Sequence, residues 1–317
     1  MARGSIGLLD RLRPRLSVLI YHRVLAEPDP MRTYEIDAAR FDAQMRWVGA
    51  AFNVVPLEDA IAALAHGRLP PRALAITFDD GYADNLDCAV PILRRHGLHA
   101  TFFLTTRHVA GGMMWNDRVI EGVRHGPGPL LSLEHHGLGT FSIGDAGARR
   151  SAAMKLLGAL KYEPPERRER IADELLAAAP AVRGPMLDED QVRALSRTGM
   201  GIGGHTHSHP ILARLPEQDA RAEIAANRDA LAALTGRAPV LFAYPNGKPD
   251  TDYGARDIAL VRQAGYGAAM STAVGAAGAG ADRFQLPRFT PWDRSRGRFL
   301  LRLARNTLAP IQLARAP

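Results

Sequence analysis

With 317 residues, 46% of them hydrophobic, the chain can bury one large core or two small ones. Its formal charge is +7, but the cations are almost all arginines, scattered and not interleaved with aromatics, with Lys155, Lys161 and Lys248 the only lysines; solvated helix faces are expected and a nucleic-acid partner is not. The single cysteine, Cys88, excludes a disulfide framework or a thiolate cluster within the chain, so any metal must be held by His, Asp or Glu.

The N-terminal stretch MARGSIGLLDRLRPRLSVLIYHRV has basic residues but no sustained apolar segment and no small-residue cleavage site. It reads against a signal peptide and for a cytoplasmic protein, or one at the inner face of the membrane. Residues 17–21 read as a first strand that ends at His22. Helical periodicity follows over 38–50 and 57–65. The run Ala73-Leu74-Ala75-Ile76 opens a buried strand over 73–78, and that strand ends in two carboxylates, Asp79 and Asp80, followed by Gly81. A helix over 85–96 and a strand over 100–104 come next. Over 111–185 the alternation breaks: MWNDRVIE and the Gly/Pro-rich GPGPLLSLEHHGLGTFSIGDAG precede helices over 149–160 and 166–179. This predicts a helical cap inserted into a single domain of residues 1–317.

The rhythm resumes with helices over 188–197, 217–234 and 255–264 and strands over 200–203, 240–244, 267–270 and 285–289. A basic helix over 296–308 carries apolar Phe299, Leu300, Leu303 and Leu308. Packing on the rest of the protein is expected of it, with peripheral membrane contact the alternative. No run approaches the ~20 apolar residues of a membrane span. The pattern is α/β, and seven or so strand–helix units predict a distorted or incomplete (β/α) barrel, with an open doubly wound sheet the alternative. Either places an active site at the carboxyl ends of the strands.

Two like charges at the end of a core strand repel each other, and a bound cation is the simplest compensation. The second strand-end motif, GIGGHTHSHP, supplies further ligands. His205 and His209 lie four apart, so a helical turn puts them on one face with His207 pointing elsewhere; the glycines and Pro210 argue for a tight loop, which also brings the pair together. Two imidazoles, one carboxylate and a position left to water make an open catalytic zinc site.

TFDDGY followed by HTHSH resembles the polysaccharide deacetylase family, carbohydrate esterase family 4, over most of the chain from 17 to about 291 apart from the insert. The resemblance implies a distorted (β/α) barrel that removes acetyl groups from an N-acetylated sugar or glycan, a polysaccharide or its biosynthetic precursor. It implies Asp79 as general base and Asp80, His205 and His209 as ligands of a divalent metal, Zn²⁺ first, with Co²⁺, Ni²⁺ or Mn²⁺ the alternatives. Thr206 would brace the histidine loop. A hydrolase of a non-sugar amide or a sugar ester, or a glycan-binding descendant without catalysis, stays open as the alternative. The identity and length of the glycan, whether it is lipid-linked, and the oligomeric state stay open too.

Two motifs depart from the family pattern. Where it has Arg-x-Pro-Tyr, this chain has FAYPNG, so Ala243 stands at the arginine and Asn246 at the tyrosine. Asn246 can still offer a backbone N–H to an oxyanion, with Tyr244 beside it. Arg288, in QLPRF, is the candidate to orient the base. The family's late Leu-x-His is absent, because no histidine follows His209. His22, in LIYH, can take its place if the first and last strands are neighbours, as general acid. That resembles the circularly permuted arrangement of biofilm poly-N-acetylglucosamine deacetylases. In the insert, Trp115 is expected to stack on a sugar ring and Asp117 to bond its hydroxyls, or else to cap the helix that follows.

Overall fold

The computed structural model describes residues 14–315. Residues 1–13, on which the reading of the N-terminus rests, lie outside the described residues. In chain order the elements are β1 (Ser17–Tyr21), β2 (Val24–Leu25), β3 (Ile36–Asp37), α1 (Ala38–Ala51), β4 (Asn53–Val54), α2 (Leu57–Ala65) and β5 (Ala73–Phe78). A π-helical turn (Asn85–Ala89) then runs into α3 (Val90–Arg95), and β6 (Thr101–Leu104) follows. The insertion carries α4 (Trp115–His125), the hairpin β7 (Leu130–Ser132) and β8 (Thr140–Ser142), α5 (Ala146–Leu160) and α6 (Pro165–Ala177). The alternation resumes with α7 (Glu189–Ser196), β9 (Gly201–Gly204), α8 (Glu217–Thr235), β10 (Leu241–Ala243), α9 (Ala255–Gln263), β11 (Ala268–Met270) and α10 (Arg296–Leu308).

The main sheet is parallel throughout, in the order β1-β5-β6-β9-β10-β11, with β4 paired to the start of β5. Its strands are covered on both faces, which is why β1 and β5 read as continuous apolar runs. Alternate residues still divide between two cores. Leu19, Tyr21, Leu74, Ile76, Phe78 and Phe102 pack with α1 and α3, while Val18, Ala73, Ala75, Phe103, Ala243 and Met270 pack on the other face.

The curl nearly closes. The segment 285–289, expected as a strand, makes isolated bridges instead: Leu286 to Met270 of β11 and Phe289 to Leu19 of β1. Pro287 stands between them without an N–H to donate, so a continuous ladder cannot form. The fold is therefore an incomplete barrel, and β1 and β11 are joined through this one irregular segment.

Other differences have local causes. The expected helix over 85–96 begins as a π turn because Pro91 cannot donate to the backbone one turn earlier. The Gly/Pro-rich stretch of the insert folds as the β7–β8 hairpin around a short 3₁₀ turn at Glu134–His136. The inserted elements have a core of their own, including Val119, Ile120, Leu156, Ile171 and Leu175, into which Met31 reaches from the loop before β3. α10 buries Phe299 and Leu303 against the barrel and leaves Leu301 and Leu308 exposed. No helix among the described residues is long and apolar enough to cross a membrane.

Candidate metal centre and active site

At the end of β5 the chain adopts two left-handed residues in succession, Asp80 at φ 78° and Gly81 at φ 91°. Glycine suits the second, since a Cβ there would stand 3.2 Å from Leu104. Asp80 holds a strained conformation because its carbonyl is fixed by both the N–H and the hydroxyl of Thr105, at 3.1 and 2.9 Å. The turn leaves Asp79 and Asp80 side by side, both buried, with different partners.

Asp79 meets Arg288. Nη1 donates to Oδ1 at 2.6 Å and Nη2 to Oδ2 at 2.7 Å, while Nε donates to the Ser271 carbonyl at 3.0 Å. This is a bidentate, fully buried pair with the guanidinium locked from behind. Burial pushes the Asp79 carboxyl up; Arg288 above all, helped by His205, more than offsets it and holds the carboxyl below its ordinary range.

Asp80 meets two imidazoles. His205 Nε2 and His209 Nε2 each lie 3.3 Å from Asp80 Oδ1, and the three ligand atoms fall within 4.8 Å of one another. His205 is delivered by β9, a strand of glycines. Side chains of its neighbours need the space: a Cβ on Gly203 would lie 2.4 Å from Phe103, and one on Gly204 2.1 Å from the Tyr266 hydroxyl. His205 Nδ1 bonds the Ala243 carbonyl at 2.7 Å, which places a proton on Nδ1 and aims Nε2 at Asp80. Beyond it the chain turns through Thr206 and His209, both with positive φ. The Thr206 hydroxyl accepts the His209 N–H at 3.1 Å, so this residue does brace the loop. His207 faces away, with its Nδ1 3.0 Å from the Thr106 hydroxyl.

These residues fit a divalent metal. Asp80 Oδ1 is buried without a conventional hydrogen-bond partner. Burial lowers the His209 pKa to about 4, so its ring is neutral at physiological pH. The neutral His209 ring and the His205 Nε2 thus converge on a carboxylate oxygen without a conventional partner, an arrangement that a cation relieves. One oxygen and two nitrogen donors form the protein side of an open site. The second His/Glu cluster, His135, His136 and Glu174, lies on the insert and apart from this centre.

Both groups open into a cavity of about 660 Å³. His22, half-buried at the end of β1, lines it together with Glu35 and Asn246. Burial pushes the Glu35 carboxyl up to about 7, with His22 and Arg23 working against the rise. Asn246 adopts φ 60°, which asparagine tolerates, and its carbonyl accepts the Thr272 hydroxyl at 2.7 Å. The insert contributes Trp115, Lys161 and Arg168 to the wall. Glu35, Lys161 and Arg168 had no motif to mark them: Arg168 sits in the charged run PERRER, which reads like any solvated helix face.

Two expected substrate-binding residues lie elsewhere. The Tyr244 side chain is fully buried outside the cavity, stacked on Tyr253 at 3.9 Å, and its hydroxyl donates to the Phe284 carbonyl. The cause is the two-residue period of a strand: Phe242 and Tyr244 share the face opposite to Ala243. Asp117 is also fully buried and does not line the cavity. Its carboxylate takes Arg32 Nη1 at 2.9 Å and the Tyr82 hydroxyl at 3.1 Å, tying α4 to the barrel. Nor does it cap α4, whose N-cap is Met114.

A curled parallel barrel with a carboxylate–diimidazole donor set at its strand ends, beside a second carboxylate held by arginine, falls in the class of (β/α) barrels built around a metal-type centre. The class narrows on comparison with known proteins. The family model for polysaccharide deacetylase matches residues 66–269, more than half of the chain, and the chain belongs to that family. Among relatives by sequence, YxkH of Bacillus subtilis (strain 168) is 26% identical over 125 residues, covering 38% of this chain and 42% of that protein. A poly-beta-1,6-N-acetyl-D-glucosamine N-deacetylase of Staphylococcus epidermidis is 30% identical over 105 residues, covering 29% of this chain and 36% of that protein. The chain thus matches about two fifths of the length of the first and just over a third of the second. Among solved structures, the Streptococcus pyogenes deacetylase PplD in complex with acetate superposes with a TM-score of 0.62 at 18% identity, over 92% of this chain and 99% of that one. IcaB from Ammonifex degensii gives 0.58 at 19% identity, over 92% and 97%. These likenesses are of fold.

Proposed function

We propose that this protein is a metal-dependent N-deacetylase of an N-acetylated glycan, and that Asp79 is its general base. The observation that carries the reading is the juxtaposition of Asp79, clamped by Arg288, with the Asp80–His205–His209 donor set in one cavity; Asp79 Oδ2 lies 3.9 Å from His205 Nε2. A divalent ion held by Asp80, His205 and His209, Zn²⁺ being the first choice for this donor set, would lower the pKa of a water toward about 7 and polarise the acetyl carbonyl.

The chain's own residues supply the rest. Arg288 keeps Asp79 ionised and fixes both of its oxygens, so one of them can accept the proton of the attacking water without the carboxylate turning away. The backbone N–H of the turn at Asn246 is the candidate oxyanion donor. His22, across the joint between β1 and the segment 285–289, is the candidate acid that protonates the departing amine, which otherwise leaves poorly. Trp115 offers a ring face for stacking on a sugar.

The direct test is acetate release from β-1,6-linked N-acetylglucosamine oligomers by the metal-loaded protein. Asp79→Asn should retain the metal and lose about 10²–10⁴-fold in rate, the usual worth of a general base. A fully active Asp79→Asn variant would remove Asp79 from the mechanism.

A further inference from the structure

Arg168 is buried to within 5% of its surface and lines the cavity, yet its side chain makes no hydrogen bond to any described residue. Its Nε is fully enclosed without an acceptor. A guanidinium carries five donors, and those of Arg168 find no hydrogen-bond acceptor among the described residues. Its nearest carboxylate oxygen, Glu169 Oε1, is 3.8 Å away, while Arg118 takes close contacts with Glu169 and Asp173. The group under it is the Trp115 ring, 4.9 Å from the guanidinium carbon.

Lys161, at the C-cap of α5, lines the same cavity, and among the described residues no carboxylate lies within 4.0 Å of its ammonium group. Of the acids of the cavity, Asp79 is engaged by Arg288 and Asp80 by the imidazoles, while Glu35 lies near His22 and Arg23. Burial lowers the pKa of both Lys161 and Arg168, which marks two cations that the fold does not fully compensate. The wall contributed by the insert therefore carries positive charge that Asp252, Glu166 and Glu169 offset only in part.

We infer that the wall around Arg168 and Lys161 is a subsite for an anionic substituent of the substrate, a phosphoryl or carboxylate group borne by the N-acetylated sugar. The inference rests on the deacetylase reading for the identity of the sugar but not for the charge. An anion there receives N–H groups of Arg168 in a forked, charge-assisted contact, and Lys161 adds positive charge to the same cavity. Trp115 beneath the guanidinium fixes its plane and offers apolar surface to the adjoining ring.

The test measures binding and turnover side by side on the metal-loaded, full-length chain. Calorimetry compares N-acetylglucosamine with N-acetylglucosamine 1-phosphate and N-acetylmuramic acid; the last two separate a phosphoryl from a carboxylate source of charge. Turnover compares acetate released from the neutral and the charged sugars. At least one charged sugar should bind about 10-fold or more tightly than the neutral one, and the advantage should shrink as salt is raised. Arg168→Gln should bring the charged-to-neutral ratio close to one, and Arg168→Lys should retain part of it. Lys161→Gln, at a half-buried position, should lower the ratio partway even if the Arg168 variants fold poorly. Equal affinity for neutral and charged sugars in the unmodified protein, or a preference that survives both Arg168→Gln and Lys161→Gln, overturns the inference. A charge preference without acetate release from these sugars or from β-1,6-linked oligomers would leave the subsite standing and remove the deacetylase. Acetate release without a charge preference would do the reverse.

Discussion

Asp79 and Asp80 are neighbours in the chain and are treated oppositely by the fold. Asp79 is neutralised by a guanidinium, and Asp80 is left with an open oxygen between two imidazoles. The first arrangement suits the proposed base and the second the proposed metal ligand. Arg288 is thus the residue on which the ionisation of Asp79 depends. With Arg288 present the folded-state pKa of Asp79 is depressed, so the pair stabilises the protein above the unfolded carboxylate pKa and loses that contribution as pH falls through the folded value. Arg288→Gln removes the offset and leaves burial, which acts upward. The acid limb of kcat/KM should move to higher pH, and unfolding at pH 7 should become easier by about 3–5 kcal/mol, as for other broken buried pairs. The deficit should narrow toward pH 4, where the carboxyl protonates. Denaturant titration at the two pH values with a pH–rate profile checks both; an unmoved acid limb would separate Arg288 from Asp79.

At the scale of elements, the insert is what turns a shallow strand-end site into a cavity. α4 is anchored by the buried Asp117–Arg32–Tyr82 cluster, and α5 and α6 pack on it through a core separate from that of the barrel. Trp115 stands at the start of α4, half-buried between this core and the cavity. If it stacks on a sugar, Trp115→Ala should raise KM for a glycan oligomer by about 10-fold, since a stacked ring is worth ~1 kcal/mol or more. KM for a small acetylated amine should change far less. Equal effects on the two substrates would assign Trp115 to packing under Arg168. α10 acts at the opposite level of specificity: Phe299 and Leu303 close the barrel's outer core, and Phe299 lies 5.9 Å from the Trp47 ring.

For the molecule as a whole, the site exists only when the barrel is curled. Its candidate metal donors come from the ends of β5 and β9, the arginine paired with Asp79 from the segment 285–289 and its candidate acid from β1. Metal binding should therefore stabilise the whole fold. At a hundredfold excess over Kd the gain is about 2.7 kcal/mol, or a rise in Tm of about 4 °C for a chain of 317 residues. Chelation should lower Tm by that amount and added Zn²⁺ should restore it. In His209→Ala the Zn²⁺ response and the bound metal should vanish together; an unchanged response in that variant would place the metal elsewhere.

The chain's local chemistry was enough to show an α/β barrel, its strand-end carboxylates and the histidine loop. TFDDGY and HTHSH each lie within one turn of a strand end, so backbone geometry alone sets their side chains close together. The order of apolar runs likewise announced most helices and strands, because burial on both faces demands continuous apolar sequence. What lies far apart in the chain was decided by the curl of the sheet. Arg288 and Asp79 are 209 positions apart, and no periodicity relates them. Tyr244, expected beside Asn246 at the substrate, faces away from the cavity: a period of two tells which residues share a face, not which face looks into the barrel. The two-residue strands β2, β3 and β4 are too short to leave a pattern. Arg168 is the furthest from any local signal: a solvated helix and a buried cavity wall can carry the same charged run, and only the packing of α6 against α4 distinguishes them.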